Sequence, residues 1–116
     1  MHFEEFMETV IVHFKNTDKK LFFQFINTKF NHNILPFSIQ SDEYGIISFN
    51  QYNDYDVEYD FAEKKRVEAV LGTEPDFSII IEFHGIISNN KIVSDLLNEF
   101  RNRFSICIDD DHGNIQ

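Results

Sequence analysis

Phe77-Ser78-Ile79-Ile80-Ile81-Glu82-Phe83 is the stretch on which the fold turns. It is short, rich in β-branched and aromatic residues, and apolar on both faces, which reads as a central strand of a sheet. Working outward towards the C-terminus, Ser88-Asn89-Asn90 supplies helix-capping side chains. Behind them Ile92, Val93, Leu96, Leu97, Phe100 and Phe104 recur at helical spacing, predicting a helix over 91–104 with one buried stripe. Ser105 to Ile108 then reads as a last strand, followed by an acidic tail.

Towards the N-terminus, Pro75 stops whatever precedes the central strand, and Ala62 to Leu71 reads as a short helix. Val67, Val70 and Leu71 share one face of that helix, and Gly72 is placed to cap its end. Phe37 to Gln40 and Ile46 to Phe49 flank the turn-rich Ser41-Asp42-Glu43-Tyr44-Gly45, which predicts a hairpin. Asp54 to Phe61 alternates strictly and reads as a further strand or a strand extension. Leu21, Phe22, Phe25, Ile26 and Phe30 predict a helix over 18–30, started by Asn16-Thr17-Asp18 and ended by Asn31 to Asn33 before Pro36. Two patterns compete at the N-terminus. Phe3, Phe6, Met7, Val10, Ile11 and Phe14 follow helical spacing, whereas the β-branched run from Thr9 to Phe14 favours a strand near 9–15, the reading adopted. The order of elements predicts an α+β protein, one domain over 1–116, with a mixed or mainly antiparallel sheet of about five strands and two to three helices packed on it.

Composition narrows the function. With 116 residues the chain can bury a core without a disulfide or a metal. Its 14 Phe and absence of Trp predict a core of phenyl rings. The lone Cys107 lies in a strand-like run next to Asp109, Asp110 and Asp111, a setting for a small buried residue and not for a nucleophile. The acids in Met1-His2-Phe3-Glu4-Glu5-Phe6 are unlike the basic start of a signal peptide, and no apolar run reaches the length of a membrane span, so a cytoplasmic protein is expected. A net charge of −10 opposes binding to nucleic-acid phosphates or anionic membranes and favours a basic partner.

The charge is segregated along the chain. Between Lys29 and Lys64 there is no Lys or Arg, while Asp42, Glu43, Asp54, Asp56, Glu58, Asp60 and Glu63 all fall there. If Asp54 to Phe61 were extended, its carboxylates would share one side and Tyr55, Val57, Tyr59 and Phe61 the other. Lys64-Lys65-Arg66 follow directly, so charge is segregated and creates a local field; the alternative is that these three bases fold back and neutralise the acids. The five histidines lack the spacing of a zinc helix; His13 and His84, in predicted strands, read as hydrogen-bonded structural residues. Asp109-Asp110-Asp111-His112-Gly113-Asn114 departs from the order of an EF-hand loop and reads as a solvated, partly frayed tail, so neither metal nor cofactor is expected. No motif for nucleophilic, dinucleotide or phosphate chemistry is present, which favours a binding protein over an enzyme.

The C-terminal half, from Val67-Glu68-Ala69-Val70-Leu71-Gly72-Thr73-Glu74-Pro75 through the strand Phe77–Phe83 and the helix 91–104 to Asp109-Asp110-Asp111-His112-Gly113, resembles the immunity proteins of bacterial toxin systems, including those of contact-dependent growth inhibition. The resemblance implies a role, not particular residues: blocking a cognate toxin, often a cationic nuclease, by covering its active site. The residues expected to meet such a partner are Asp42, Glu43, Tyr44, Asp54, Asp56, Glu58, Asp60, Asp109, Asp110 and Asp111. Their carboxylates would stand in for phosphates in a basic cleft. Tyr44 and Tyr52 are available as anchors, while Tyr55 and Tyr59 are expected to pack. The alternatives are a structural or regulatory interaction module, such as a homodimer joined at a sheet edge, and an enzyme without a recognisable motif.

Overall fold

The computed structural model describes residues 7–41, 45–85 and 90–116. Its elements run β1 (Met7–Lys15), α1 (Lys19–Phe30), β2 (Phe37–Ser41), β3 (Gly45–Tyr52), α2 (Tyr55–Glu58), α3 (Phe61–Leu71), β4 (Phe77–His84), α4 (Lys91–Arg103) and β5 (Ser105–Asp109). The strands form one sheet in the order β2-β3-β4-β1-β5. Every pairing is antiparallel, so the fold is α+β with β4 at the centre of the sheet. The N-terminal run is a strand: Val10 to Phe14 are all buried between β4 and β5, where branched and aromatic side chains can pack on both faces.

Local chemistry sets the helix ends. Asp18 caps α1 by accepting the Lys20 N–H, and Asn31 closes it in the left-handed conformation. Asn90 caps α4 by accepting the Val93 N–H, and the left-handed Gly72 closes α3. Ser88 and Asn89, expected to help start α4, and the turn residues Asp42 to Tyr44 lie outside the described residues. The first residue of β3, Gly45, has φ +78°, and a Cβ there would come within 3.0 Å of the His84 ring.

The two faces of the sheet differ. On the first, Val10, Val12, Phe14, Ile47, Phe49, Ile79, Ile81 and Phe83 meet Phe22 and Ile26 of α1 and Val93, Leu96, Leu97 and Phe100 of α4. Rings link the strands: Phe14 and Phe77 are cross-strand partners stacked 4.6 Å apart, and Phe37 and Phe49 are another such pair at 4.5 Å. On the second face α3 packs on β1 and β5, burying Ile11, Tyr59, Val67, Leu71 and Cys107. Over β2 and β3 this face carries Ser38, Gln40, Ile46, Ser48 and Asn50, all exposed or half-buried. Two apolar-face assignments need correction. Val70 of α3 and Leu21 of α1 point to solvent, at 47 % and 58 % exposure, each one position off the stripe its helix buries.

Asp54 to Phe61 is not a strand. Val57 and Glu58 donate to the Asp54 carbonyl at 3.1 and 2.8 Å, a single helical turn. β2 begins opposite Phe49 and β4 reaches only about as far as Tyr52, so an extension of β3 would run past the ends of both neighbours with nothing to pair with. Helical geometry also turns about 100° per residue, which separates the alternate carboxylates an extended chain would align. Asp60 starts α3 through a capping box, accepting the Glu63 N–H while Glu63 accepts that of Asp60.

Phe100 is fully buried among Phe14, Phe22, Phe25 and Phe104. Phe100→Ala should therefore lower the unfolding free energy by about 3–5 kcal/mol in urea titrations. Val70→Ala, at an exposed site, should change it by less than about 0.5 kcal/mol. Equal effects of the two would contradict the packing described.

Candidate functional site: an acidic cleft over a buried tyrosine

His13 sits on the second face of β1, opposite Ser78 of β4 on one side and Cys107 of β5 on the other. It is fully buried, with Nδ1 2.6 Å from Ser78 Oγ and Nε2 3.1 Å from the Tyr59 hydroxyl. The Tyr59 hydroxyl donates to the Asp109 carboxylate. Because that proton is committed, Tyr59 must accept from His13, so Nε2 carries the proton and Nδ1 accepts from Ser78. The result is a one-way chain from Ser78 through His13 and Tyr59 to Asp109. Asp109 also accepts the Asp111 N–H at 2.8 Å.

The chain fixes protonation. Burial lowers the His13 pKa from 6.5 to about 4 against the opposing pull of Asp109, so the ring is neutral at pH 7. Burial, the hydrogen bond to Asp109 and the Asp109 charge push the Tyr59 hydroxyl far above its ordinary range. Cys107 is buried beneath and is raised to about 11, first by burial and then by Asp109, which leaves it a thiol.

Above this chain a cleft of about 270 Å³ opens at the boundary between the covered and uncovered halves of the second face. Its floor is Thr9, Ile11, Ile80 and Tyr52; Glu58 and Glu63 wall it beside Tyr59, and Asp111 closes the far side. No Lys or Arg is among these residues. Burial followed by Glu58, Asp54, Asp109 and Asp111 pushes the Tyr52 hydroxyl up to about 12, so four carboxylates act on this one ring. Asp111 is itself raised, first by burial and then by Asp109, with Asp110 and Glu63 adding and His112 opposing.

The acids proposed from the sequence therefore separate. Glu58 and Asp111 meet at the cleft, and Asp54 stands near Tyr52. Asp56 is paired with Lys64 at 3.3 Å, and Asp60 is engaged as the cap of α3. Asp109 is 5 % exposed, with its two oxygens accepting from Tyr59 and from the Asp111 N–H. Asp110 accepts from the His112 and Asn114 N–H groups at 2.9 and 3.1 Å, shaping a turn. Asp42, Glu43 and Tyr44 lie outside the described residues. Nor is the tail frayed: Ile108 and Gln116 exchange backbone hydrogen bonds, and His112 reaches Glu8 at 2.8 Å. Of the three bases that could fold back onto the acids, Lys64 alone pairs with one of them among the described residues. Lys65 lies over the Phe61 ring, and Arg66 donates to the Gly113 carbonyl.

Tyr52, read as an available anchor, does lie in the cleft, whereas local pattern missed Glu63 as a cleft residue and His13 as the centre of a network; the Asp60-Phe61-Ala62-Glu63 capping signature is the signal that would have placed Glu63. Among the described residues no group of three or more His, Cys, Asp or Glu is arranged to hold a metal ion, and no helix is long and apolar enough to cross a membrane. No family model, curated protein or solved structure matches the chain.

The His13 pKa is lower in the native state than in the unfolded chain, so between pH 6.5 and 4 the unfolded state binds the extra proton. The stability contributed is complete above about pH 6.5 and is lost as the pH falls, at about 1.4 kcal/mol per pH unit and about 3 kcal/mol in all. Urea midpoints measured across this window should fall more steeply for the wild type than for His13→Gln; equal slopes would remove His13 as the buried neutral group. Tyr59→Phe leaves the His13 N–H and an Asp109 oxygen without their partner and should cost about 2 kcal/mol or more at pH 7.

Proposed function

We propose that this chain is an immunity- or antitoxin-like inhibitor that binds a basic, nuclease-like protein toxin and covers its active site. The observation that carries the reading is the cleft of Glu58, Glu63 and Asp111, free of Lys and Arg and set at the edge of an open sheet face. Three carboxylates converging there repel one another, and a guanidinium or ammonium group from a partner would relieve that repulsion. A basic cleft that normally grips phosphates offers such groups in number, so the carboxylates can take the place of the phosphates. The net charge of −10 would speed encounter with a cationic surface. In this reading the protein acts in the cytoplasm, without a cofactor and without chemistry of its own. His13 is sealed from solvent and its ring nitrogens are both engaged, so it is not available as a general base towards an external substrate.

The second reading is an interaction module that pairs through the outer edge of β2, the terminal strand of the sheet. The two readings differ in their salt dependence. Binding to the product of the adjacent reading frame, followed by calorimetry, should weaken at least tenfold between 50 and 300 mM salt, both figures being about what a few exposed ion pairs give. Glu58→Gln with Asp111→Asn should weaken it by a similar factor. Glu74→Gln with Asp95→Asn, an equal change in charge at exposed sites away from the cleft, should have little effect. If both double variants behave alike, or the neighbour's product does not bind, the inhibitor reading fails; salt-insensitive self-association would favour the second.

A further inference from the structure

Val57 and Phe61 are the most exposed large apolar side chains among the described residues, at 85 % and 73 %. They stand four positions apart on the corner where α2 meets α3, the same corner that supplies Glu58 and Glu63 to the cleft. The corner does not lack an inner face. Tyr59 turns inward and is buried, and Tyr55 packs edge-on against it with ring centroids 5.3 Å apart. Two apolar groups are thus held outward by a segment whose inward positions are already filled. The Lys65 ammonium lies 4.5 Å from the Phe61 centroid and takes one face of the ring, which is otherwise exposed.

We infer that Val57 and Phe61 are the apolar anchor of the binding surface, and that its occupant is a cationic protein segment carrying an aliphatic side chain among its bases. This deepens the inhibitor reading and rests on it. Charge complementarity selects the occupant: Asp54, Glu58 and Asp60 flank the two apolar groups and are exposed. A dry centre within a charged rim is the usual arrangement of a protein contact. A second copy of this chain fits poorly, because a two-fold contact centred on Val57 and Phe61 would bring these carboxylates against their own equivalents.

Two labelled peptides of equal charge test the inference by fluorescence anisotropy: one alternates Arg with Leu, the other Arg with Gly. The Arg-Leu peptide should bind the wild type about tenfold more tightly, the effect of burying one aliphatic side chain. Val57→Ser with Phe61→Ser should abolish that advantage and leave the Arg-Gly peptide unchanged. Both sites are exposed, so the double variant should keep the wild-type circular dichroism and thermal midpoint. If the peptides bind the wild type equally, or the variant retains the preference, the anchor is wrong while the acidic cleft stands. If neither peptide binds, the cleft and the anchor fail together. Self-association of the wild type in sedimentation, lost in the double variant, would assign the corner to a dimer contact and overturn the proposal.

Discussion

Tyr59 donates to Asp109 and accepts from His13, and through that one hydroxyl three parts of the chain are joined. His13 belongs to the middle of the sheet, Asp109 to the end of β5, and Tyr59 to the corner between two helices. A buried carboxylate without partners would be costly, as would a buried imidazole with an unmet N–H. Each satisfies the other by way of the phenol, and the direction of every proton in the chain follows. The α2–α3 corner is positioned by this interaction together with Val67 and Leu71 packing below. The walls of the cleft inherit their placement from the same contact, since Glu58 and Glu63 flank Tyr59 in sequence and Asp111 follows Asp109.

The same arrangement concentrates charge. Burying Asp109 places a carboxylate beneath a cleft already lined by Glu58, Glu63 and Asp111, and it adds to burial, the larger cause, in raising the pKa of Tyr52 and Asp111. Nearby bases do not cancel it, because Lys64, Lys65 and Arg66 are directed to Asp56, to the Phe61 ring and to Gly113. The fold thus holds negative charge close together and leaves the cleft itself without a base, which gives this corner a local negative field.

How much of this was legible depended on whether the signal was local. The strand Phe77–Phe83, the caps Asp18 and Asn90 and the closing Gly72 each declare themselves within a few residues, and the fold class followed from them. The helical turn at Tyr55–Glu58 did not, because strict alternation over eight residues is also the signature of a strand. What decided it lies elsewhere: neither neighbour of β3 reaches beyond about Tyr52, and Tyr59 is drawn to a carboxylate 50 residues further on. Asp109 illustrates the same limit. A carboxylate in an acidic tail reads as solvated, and its burial depends on a phenol that no local pattern could assign to it. The cleft combines acids from both ends of that separation, so only part of it, Glu58 and Asp111, was named from sequence.

The uncovered part of the second sheet face has a bearing on how such a protein can change. Ser38, Gln40, Ser48 and Asn50 sit on strands whose opposite side is locked into the phenyl layer, yet they themselves bear no helix. Ser38 and Ser48 share a cross-strand hydrogen bond at 3.0 Å, so replacing the residues of this face costs at most such local contacts and leaves the phenyl layer untouched. The surface chemistry of this side can therefore vary over generations while the scaffold behind it stays constant.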